Sequence, residues 1–86
     1  MIEKDTDYIR ERRCALGASF KDARTAAGLS LRQLASLCDI HFTNLGKFES
    51  GQLNVQLDTL YRIARALNLD ITVTKTNDNE IPSTEK

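Results

Sequence analysis

The chain lacks most of the residues on which small catalytic or metal-binding proteins depend. Its 86 residues include no tryptophan, one proline, one histidine and two cysteines. The single histidine, His41, is joined by no paired acids in an apolar setting and by no glycine-rich phosphate loop, which leaves nothing for acid–base or nucleophilic chemistry. The cysteine spacing matches no zinc pattern. We therefore expect neither an enzyme nor a bound metal or other cofactor.

Long apolar runs are missing as well. No stretch approaches the ~20 apolar residues that cross a membrane, and the N-terminus, M-I-E-K-D-T-D, has no signal-peptide pattern. Cys14 and Cys38 fall inside helical patterns, which favours buried free thiols. A length of 86 residues allows one domain with a modest core. These features predict a single cytoplasmic domain with no membrane partner.

The charges are balanced in number but unevenly distributed. The net charge of zero argues mildly against nucleic-acid binding. Residues 10–75 nevertheless hold ten basic and six acidic side chains, whereas the segments 1–9 and 76–86 carry a charge of −2 each. A modestly basic centre with acidic ends can still approach DNA, although the electrostatic attraction that steers it is weak.

The most informative stretch begins at Ser30 and reads as the first of two short helices joined by a tight turn. Ser30 is a good N-cap, and Gln33 three residues later completes a capping box. The apolar residues that follow share one helical face: Leu34, Ala35 and Cys38. Asp39 stands where a left-handed residue would turn the chain, a conformation that Asp adopts more readily than most residues do.

A second short helix follows this turn. Leu45 and Phe48 take its core-facing positions, and Gly51 ends it with the residue best suited to a left-handed conformation. Ala35 in the first helix leaves room for the two helices to cross closely. Two helices of about two turns each, joined in this way, describe a helix-turn-helix.

Helical periodicity predicts a further helix on the N-terminal side. Its apolar face comprises Ile9, Leu16, Phe20, Ala23 and Ala27. Gly28 then gives an end signal. Because Gly17 is a weak point inside this pattern, the helix is either continuous over residues 7–27 or broken near residues 14–17.

The C-terminal side carries one more helical pattern and then a change of character. Apolar residues recur at helical spacing at Leu57, Leu60, Ile63, Ala64 and Leu67, and Asn68 follows as an end signal. Residues 70–75, D-I-T-V-T-K, alternate apolar and β-branched polar residues and predict a strand. Since no second strand is evident, the economical solution pairs this strand with its copy in a homodimer; the alternative is a frayed tail.

A known family shares this arrangement. The matching positions are Gly28-Leu29-Ser30, Leu34-Ala35, Ile40, Leu45, Phe48-Glu49, Gly51 and Leu57 through Leu67. Their joint spacing resembles the helix-turn-helix domain of lambda-repressor and Cro-type (XRE family) regulators over about residues 16–70. The resemblance implies an all-α fold, a lambda-repressor-like bundle of four to five helices, with one short C-terminal strand.

This resemblance also divides the chain. It predicts an N-terminal helical extension (1–13), a helix-turn-helix DNA-binding domain (14–69), a dimerising strand (70–75) and a disordered tail (76–86). The strand residues expected to pair between two copies are Ile71, Thr72, Val73 and Thr74. In layout the chain is similar to persistence-type antitoxins, which also place a shared strand after the helices.

The resemblance further implies which residues meet DNA. Side chains early in the second helix of the unit lie in the major groove. The base-contacting positions are Phe42, Thr43, Gly46 and Lys47. The candidate phosphate contacts are Arg32, Gln33, His41, Asn44, Ser50, Gln52 and Asn54.

A structural ion pair is implied between Arg24 and Glu49. A charge next to the core is costly unless it is paired, and the arginine fork fits a carboxylate. The alternative is two unrelated solvated charges. Three residues depart from the family pattern: Leu31 replaces a phosphate-binding Gln, Asp39 replaces the turn Gly, and His41 replaces a Ser or Thr cap. His41 would touch a phosphate better when protonated, or is a plain surface residue.

Two functions follow as hypotheses. The first is a homodimeric, sequence-specific transcriptional regulator, most simply a repressor, that binds a palindromic double-stranded DNA operator. The second is an antitoxin-like module whose main partner is a toxin protein and which also regulates its own operon. A third, weaker interpretation is a helix-turn-helix that has lost DNA binding, for which Leu31, Phe42 and Gly46 are the motive.

Overall fold

Four α-helices form the part of the chain that the computed structural model describes, residues 2–75 for the backbone and 5–75 for the side chains. They are α1 (Ile2–Ala26), α2 (Leu31–Cys38), α3 (Phe42–Glu49) and α4 (Leu57–Ala66). The all-α class and the helix-turn-helix at α2–α3 are as predicted, with four helices rather than five. The tail predicted at 76–86 lies outside the described residues.

The first helix is continuous through Gly17, which decides between the two alternatives left by the sequence. It spans 25 residues, about 37 Å at 1.5 Å per residue. The molecule measures 47 × 24 × 21 Å. Residues 5–12 are all exposed, so the N-terminal half of α1 projects beyond the body formed by the other helices.

The core lies where α1, α2, α3 and α4 converge. Its buried apolar residues are Phe20, Leu34, Ala35, Cys38, Leu45, Phe48, Ile63 and Ala64. The rings of Phe20 and Phe48 meet edge to face with centroids 5.2 Å apart, which joins α1 to α3. Leu57, whose helical spacing with Leu60 and Ile63 predicts a core position, is instead 63% exposed. Leu57 is the first residue of α4 and lies one turn beyond the region that packs.

All four helices end in the same way. A left-handed residue follows each helix: Gly28 (φ 77°), Asp39 (φ 57°), Gly51 (φ 82°) and Asn68 (φ 58°). After α3, for example, the N–H of Gln52 donates to the carbonyl of Lys47 and that of Gly51 to the carbonyl of Phe48. This is the Schellman pattern, which satisfies carbonyls that the end of a helix leaves without a partner.

Residues 70–75 form no strand in the described part of the single chain. The physical reason is that a strand is defined by its hydrogen-bonded neighbour, and residues 2–75 of one copy supply none. The segment from Leu69 to Thr72 instead borders α1 and shares a groove with Leu16 and Phe20. No helix within residues 2–75 combines the length and hydrophobicity needed to cross a bilayer.

The two cysteines differ from each other. Cys38 is fully buried, as predicted, and burial raises the pKa of its thiol. The prediction was wrong for Cys14, which is exposed. It lies on α1 at the edge of the body, where the helix begins to project, so the helical pattern alone placed it incorrectly.

Candidate nucleic-acid interface

The start of α2 carries a complete capping box. The backbone N–H of Gln33 donates to the Ser30 hydroxyl at 3.1 Å, and the Gln33 side-chain oxygen accepts from the Ser30 N–H at 2.7 Å. This fixes the first turn of α2 and the direction of its amides. Because the box uses the oxygen of Gln33, a phosphate would be bound through its Nε2 amide group.

The turn between α2 and α3 depends on the two residues that depart from the family pattern. Asp39 takes the left-handed conformation expected for it. The Nδ1 atom of His41 accepts a hydrogen bond of 3.2 Å from the backbone N–H of Thr43, so the imidazole caps α3. An accepting Nδ1 carries no proton, which puts the proton of the neutral ring on Nε2. The cap thus occupies Nδ1 and leaves Nε2 as the ring atom with which His41 would contact a phosphate.

Helix α3 divides cleanly into a buried and an exposed side. Leu45, Phe48 and Glu49 are buried. Thr43 and Lys47, one turn apart, are exposed and share one face of the helix. Of the four predicted base-contacting residues, these two have exposed side chains that extend away from the protein. Both can bond base edges in a major groove.

Phe42 is only half-exposed and has protein neighbours on its ring. The Arg32 guanidinium carbon lies 3.9 Å from the ring centroid, and the His41 ring stacks on it with centroids 5.1 Å apart. Such a cation–π contact is worth about 0.5–1 kcal/mol at a surface. Phe42 thereby holds Arg32, from α2, at the N-terminal end of α3.

Gly46 has a structural partner that the sequence did not reveal. A Cβ atom at Gly46 would lie 3.3 Å from the Leu31 side chain. The missing side chain in α3 therefore leaves room for the leucine that begins α2. Leu31, which departs from the family pattern, and Gly46, a predicted base-contacting position without a side chain, thus form one packing contact.

Arg24 and Glu49 form a bidentate ion pair in the structure. The Nε and Nη2 atoms of Arg24 donate to the two carboxylate oxygens at 2.7 and 3.0 Å, and Nη1 donates to the Leu29 carbonyl at 2.9 Å. The side chains are 11% and 5% exposed. The hydrogen bond to Glu49 raises the pKa of Arg24 against the opposing effect of burial. The pair thus links α1 to α3 and excludes the alternative of two solvated charges.

A second link joins α1 to the C-terminal end of α3, and sequence reasoning missed it. The Arg13 Nε atom donates to the Gly51 carbonyl at 3.1 Å, and the Cys14 thiol lies 3.7 Å from the Ser50 carbonyl. A Cβ at Gly51 would sit 2.6–2.9 Å from Cys14 atoms. One turn after Cys14 along α1, a Cβ at Gly17 would collide with backbone carbonyl groups of α3. The only signal in the sequence was a glycine inside a helical pattern.

The remaining residues predicted to contact phosphates differ in whether their side chains are available to do so. Gln52 and Asn54 are exposed in the connector before α4. The Ser50 hydroxyl donates to the Lys47 carbonyl at 3.1 Å, which engages it at the helix end. Asn44 is exposed, but it points toward a groove that Gln56 and Arg62 also line, about a quarter turn away from Thr43. Among residues 2–75 no group of three potential ligands could hold a metal ion.

Comparison with known proteins agrees with this geometry. The family model described as Helix-turn-helix matches residues 20–73. The chain is also similar to Control protein C.SmaI of Serratia marcescens, with 36% identity over 56 residues, or 65% of this chain and 67% of that protein. The family match contains α2, α3 and α4. It begins after Gly17, so the contacts of Arg13, Cys14 and Gly17 with the end of α3 lie outside it.

Proposed function

This chain belongs to the helix-turn-helix family of DNA-binding regulators of the XRE, Cro and C type, and from that premise we propose that it regulates transcription by binding one DNA sequence as a homodimer. Repression by blocking polymerase is the simplest mechanism. The two copies pair through residues 71–74, so that two α3 helices enter successive major grooves. The operator is then roughly palindromic, with half-site centres about 34 Å apart.

One observation carries the proposal. Helix α3 is capped at its start by His41 and is joined to α1 near its end by the Arg24–Glu49 pair, while Thr43 and Lys47 face outward from the same helix. A helix held in a fixed position presents its exposed side chains in one orientation, which direct recognition of DNA bases requires. Arg32 lies against Phe42 at the N-terminal end of the same helix, where its guanidinium group would contact a phosphate backbone.

The experiment is selection from a randomised duplex pool with the full chain, followed by affinity measurements at several salt concentrations. We expect one palindromic sequence to be enriched and the logarithm of the affinity to fall with the logarithm of salt concentration with a slope of several units. Failure to enrich any sequence at low salt would contradict the proposal.

A single substitution tests whether α3 is the helix that contacts DNA. Lys47→Ala should weaken operator binding about 10-fold or more and reduce the salt slope by about one unit. Arg65→Ala, which removes an exposed cation from the end of α4, is the matched control and should change neither quantity by as much. Equal effects from the two variants would show that α3 is not the DNA-contacting helix.

The antitoxin-like module remains the second candidate, and one observation favours it. Leu37 on α2 and Leu57 and Tyr61 on α4 are 63%, 63% and 50% exposed, and they lie outside the predicted DNA-contacting residues. Exposed apolar side chains of this size suit a protein partner. Co-purification of the full chain with the product of the neighbouring gene, and release of that protein's toxicity when the chain is absent, would support this candidate.

A further inference from the structure

Three large apolar side chains of α1 remain exposed in the described part of the single chain, and two of them lie on its projecting half. Tyr8 is 61% exposed, Ile9 is 49% exposed and Leu16 is 41% exposed. Ile9 and Leu16 are seven residues apart and so fall within about 20° of each other around the helix. They form one stripe that leaves the body of the protein along α1.

This stripe continues onto the C-terminal segment. Leu16 lines a groove of about 320 Å³ together with Leu69 and Ile71. Beyond it, Val73 is 96% exposed. The stripe of α1 and the segment proposed to pair between two copies meet at Leu16, and we name the two together the α1–C-terminal face (Ile9, Leu16, Leu69, Ile71 and Val73).

The position of α1 keeps this face away from the N-terminal end of α3, which is proposed to enter the major groove. Residues 13–17 of α1 contact the C-terminal end of α3, around Ser50 and Gly51. Phe42 and Thr43 lie at the other end of α3. Because α1 leaves the body at the C-terminal end of α3, its projecting half is placed for a protein contact rather than for the major groove.

The charges along the projecting half identify the partner. Around the helix axis Asp5 and Arg12 lie within about 60° of Ile9, and both are exposed, whereas Asp7 lies on the far side of α1 and pairs with Arg10 at 3.5 Å. Two such helices side by side and parallel would align acid with acid and base with base, whereas an antiparallel pair aligns each acidic end with the other copy's basic part. A second copy of this chain therefore complements the surface by itself, as a two-fold interface requires.

We propose that the projecting half of α1 packs antiparallel against the same helix of a second copy and extends the homodimer interface over the whole α1–C-terminal face. This inference rests on the proposed homodimer and adds its second element. The extension before the family match is then a dimerisation arm, and it sets the distance between the two recognition helices.

The test is the dimer dissociation constant of the full chain, measured by sedimentation over a range of concentrations. Ile9→Asp should raise this constant roughly 10- to 100-fold, because a charge replaces an apolar side chain twice in one interface. Ala18→Asp adds the same charge on the opposite, exposed side of α1, about 180° around the helix from Ile9, and should leave the constant within about twofold. Helix content and unfolding temperature at equal concentration check that both variants are folded.

A charge exchange tests the antiparallel arrangement separately. Asp5→Arg should weaken association severalfold, and adding Arg12→Asp to the same chain should restore it. In a parallel pair the first substitution would keep like charges opposed and change little, which would overturn the arrangement.

The outcomes separate this inference from the proposed function. A wild-type dimer that responds equally to Ile9→Asp and Ala18→Asp overturns the role of α1 and leaves the homodimer intact. A wild-type chain that stays monomeric at every concentration overturns both the homodimer and this inference. Selection of a DNA site, measured independently, bears only on the regulator itself.

Discussion

Replacing Gly17 with alanine tests how the recognition helix is held. Gly17 lies in the interior of α1, and a Cβ there would collide with the Phe48 carbonyl oxygen and lie 2.6 Å from the Glu49 carbonyl oxygen. These are backbone atoms of α3, so the new methyl group cannot be accommodated by rotating a side chain. Either α1 or the end of α3 has to move.

Two effects of opposite sign compete in this variant. Alanine is favoured over glycine inside a helix by about 1 kcal/mol. Against this, relief of the collision would separate α1 from α3 and strain two neighbouring contacts, the Phe20–Phe48 ring pair and the Arg24–Glu49 pair. Overpacking of this kind costs about 1–3 kcal/mol and sometimes more. Since a displaced buried ion pair adds to that cost, we expect a net destabilisation of about 2 kcal/mol.

Gly46→Ala provides the matched control. It makes the same substitution in a helix interior, but its Cβ would meet a leucine side chain at 3.3 Å rather than backbone. Leu31 can shift by a few tenths of an ångström, so the helix propensity should dominate. We expect Gly46→Ala to be neutral or stabilising by up to about 1 kcal/mol.

Urea unfolding followed by far-ultraviolet circular dichroism measures both variants. All chains must be compared at one protein concentration, because the proposed dimerisation would make the apparent stability concentration-dependent. Gly17→Ala should lower the unfolding midpoint, and Gly46→Ala should not. If Gly17→Ala proved as stable as the wild type, the reasoning that α1 and α3 are in backbone contact at this glycine would be refuted.

Further predictions concern the buried Arg24–Glu49 pair and the two cysteines. Arg24→Met should destabilise the fold by about 3–5 kcal/mol because it leaves the Glu49 carboxylate buried and unpaired, and adding Glu49→Leu should recover most of that loss; urea unfolding of the three chains checks this. A thiol reagent at neutral pH should modify one cysteine, Cys14, in the folded chain and Cys38 only in denaturant, as counted by released chromophore. Because burial raises the pKa of Cys38, its contribution to stability is full below the pKa of the unfolded thiol and is lost as pH rises through the folded value.

The helix ends could be predicted from the sequence because they depend on local conformation. Glycine is the residue most compatible with a positive φ angle, and Asn and Asp follow it. The residues that end the helices could therefore be identified from the sequence alone. All four have positive φ: Gly28, Asp39, Gly51 and Asn68. The Ser30 capping box belongs to the same class, since both of its partners lie within one turn.

Contacts between distant segments could not be predicted in this way. Gly17 looked like a weak point because helix propensity describes the backbone of α1 alone, and its reason lies some thirty residues later in the carbonyls of α3. Leu57 fitted the apolar period of α4, but periodicity indicates the face of a helix and not how far along it the packing extends. The Arg24–Glu49 pair could be anticipated only through the family resemblance, which supplied the long-range relation.

The contacts that Gly46 and Phe42 make within the protein bear on how DNA would be read. Gly46 accommodates Leu31, and the ring of Phe42 supports Arg32, so two of the four predicted base-contacting positions already have roles within the protein. On the proposed function, direct reading of bases then rests mainly on Thr43 and Lys47, and each good contact discriminates by about 1–3 kcal/mol. One half-site would be read only weakly by so few contacts. Specificity must then come from binding two half-sites at a fixed spacing, which makes the strength and geometry of the dimer as important to recognition as α3 itself.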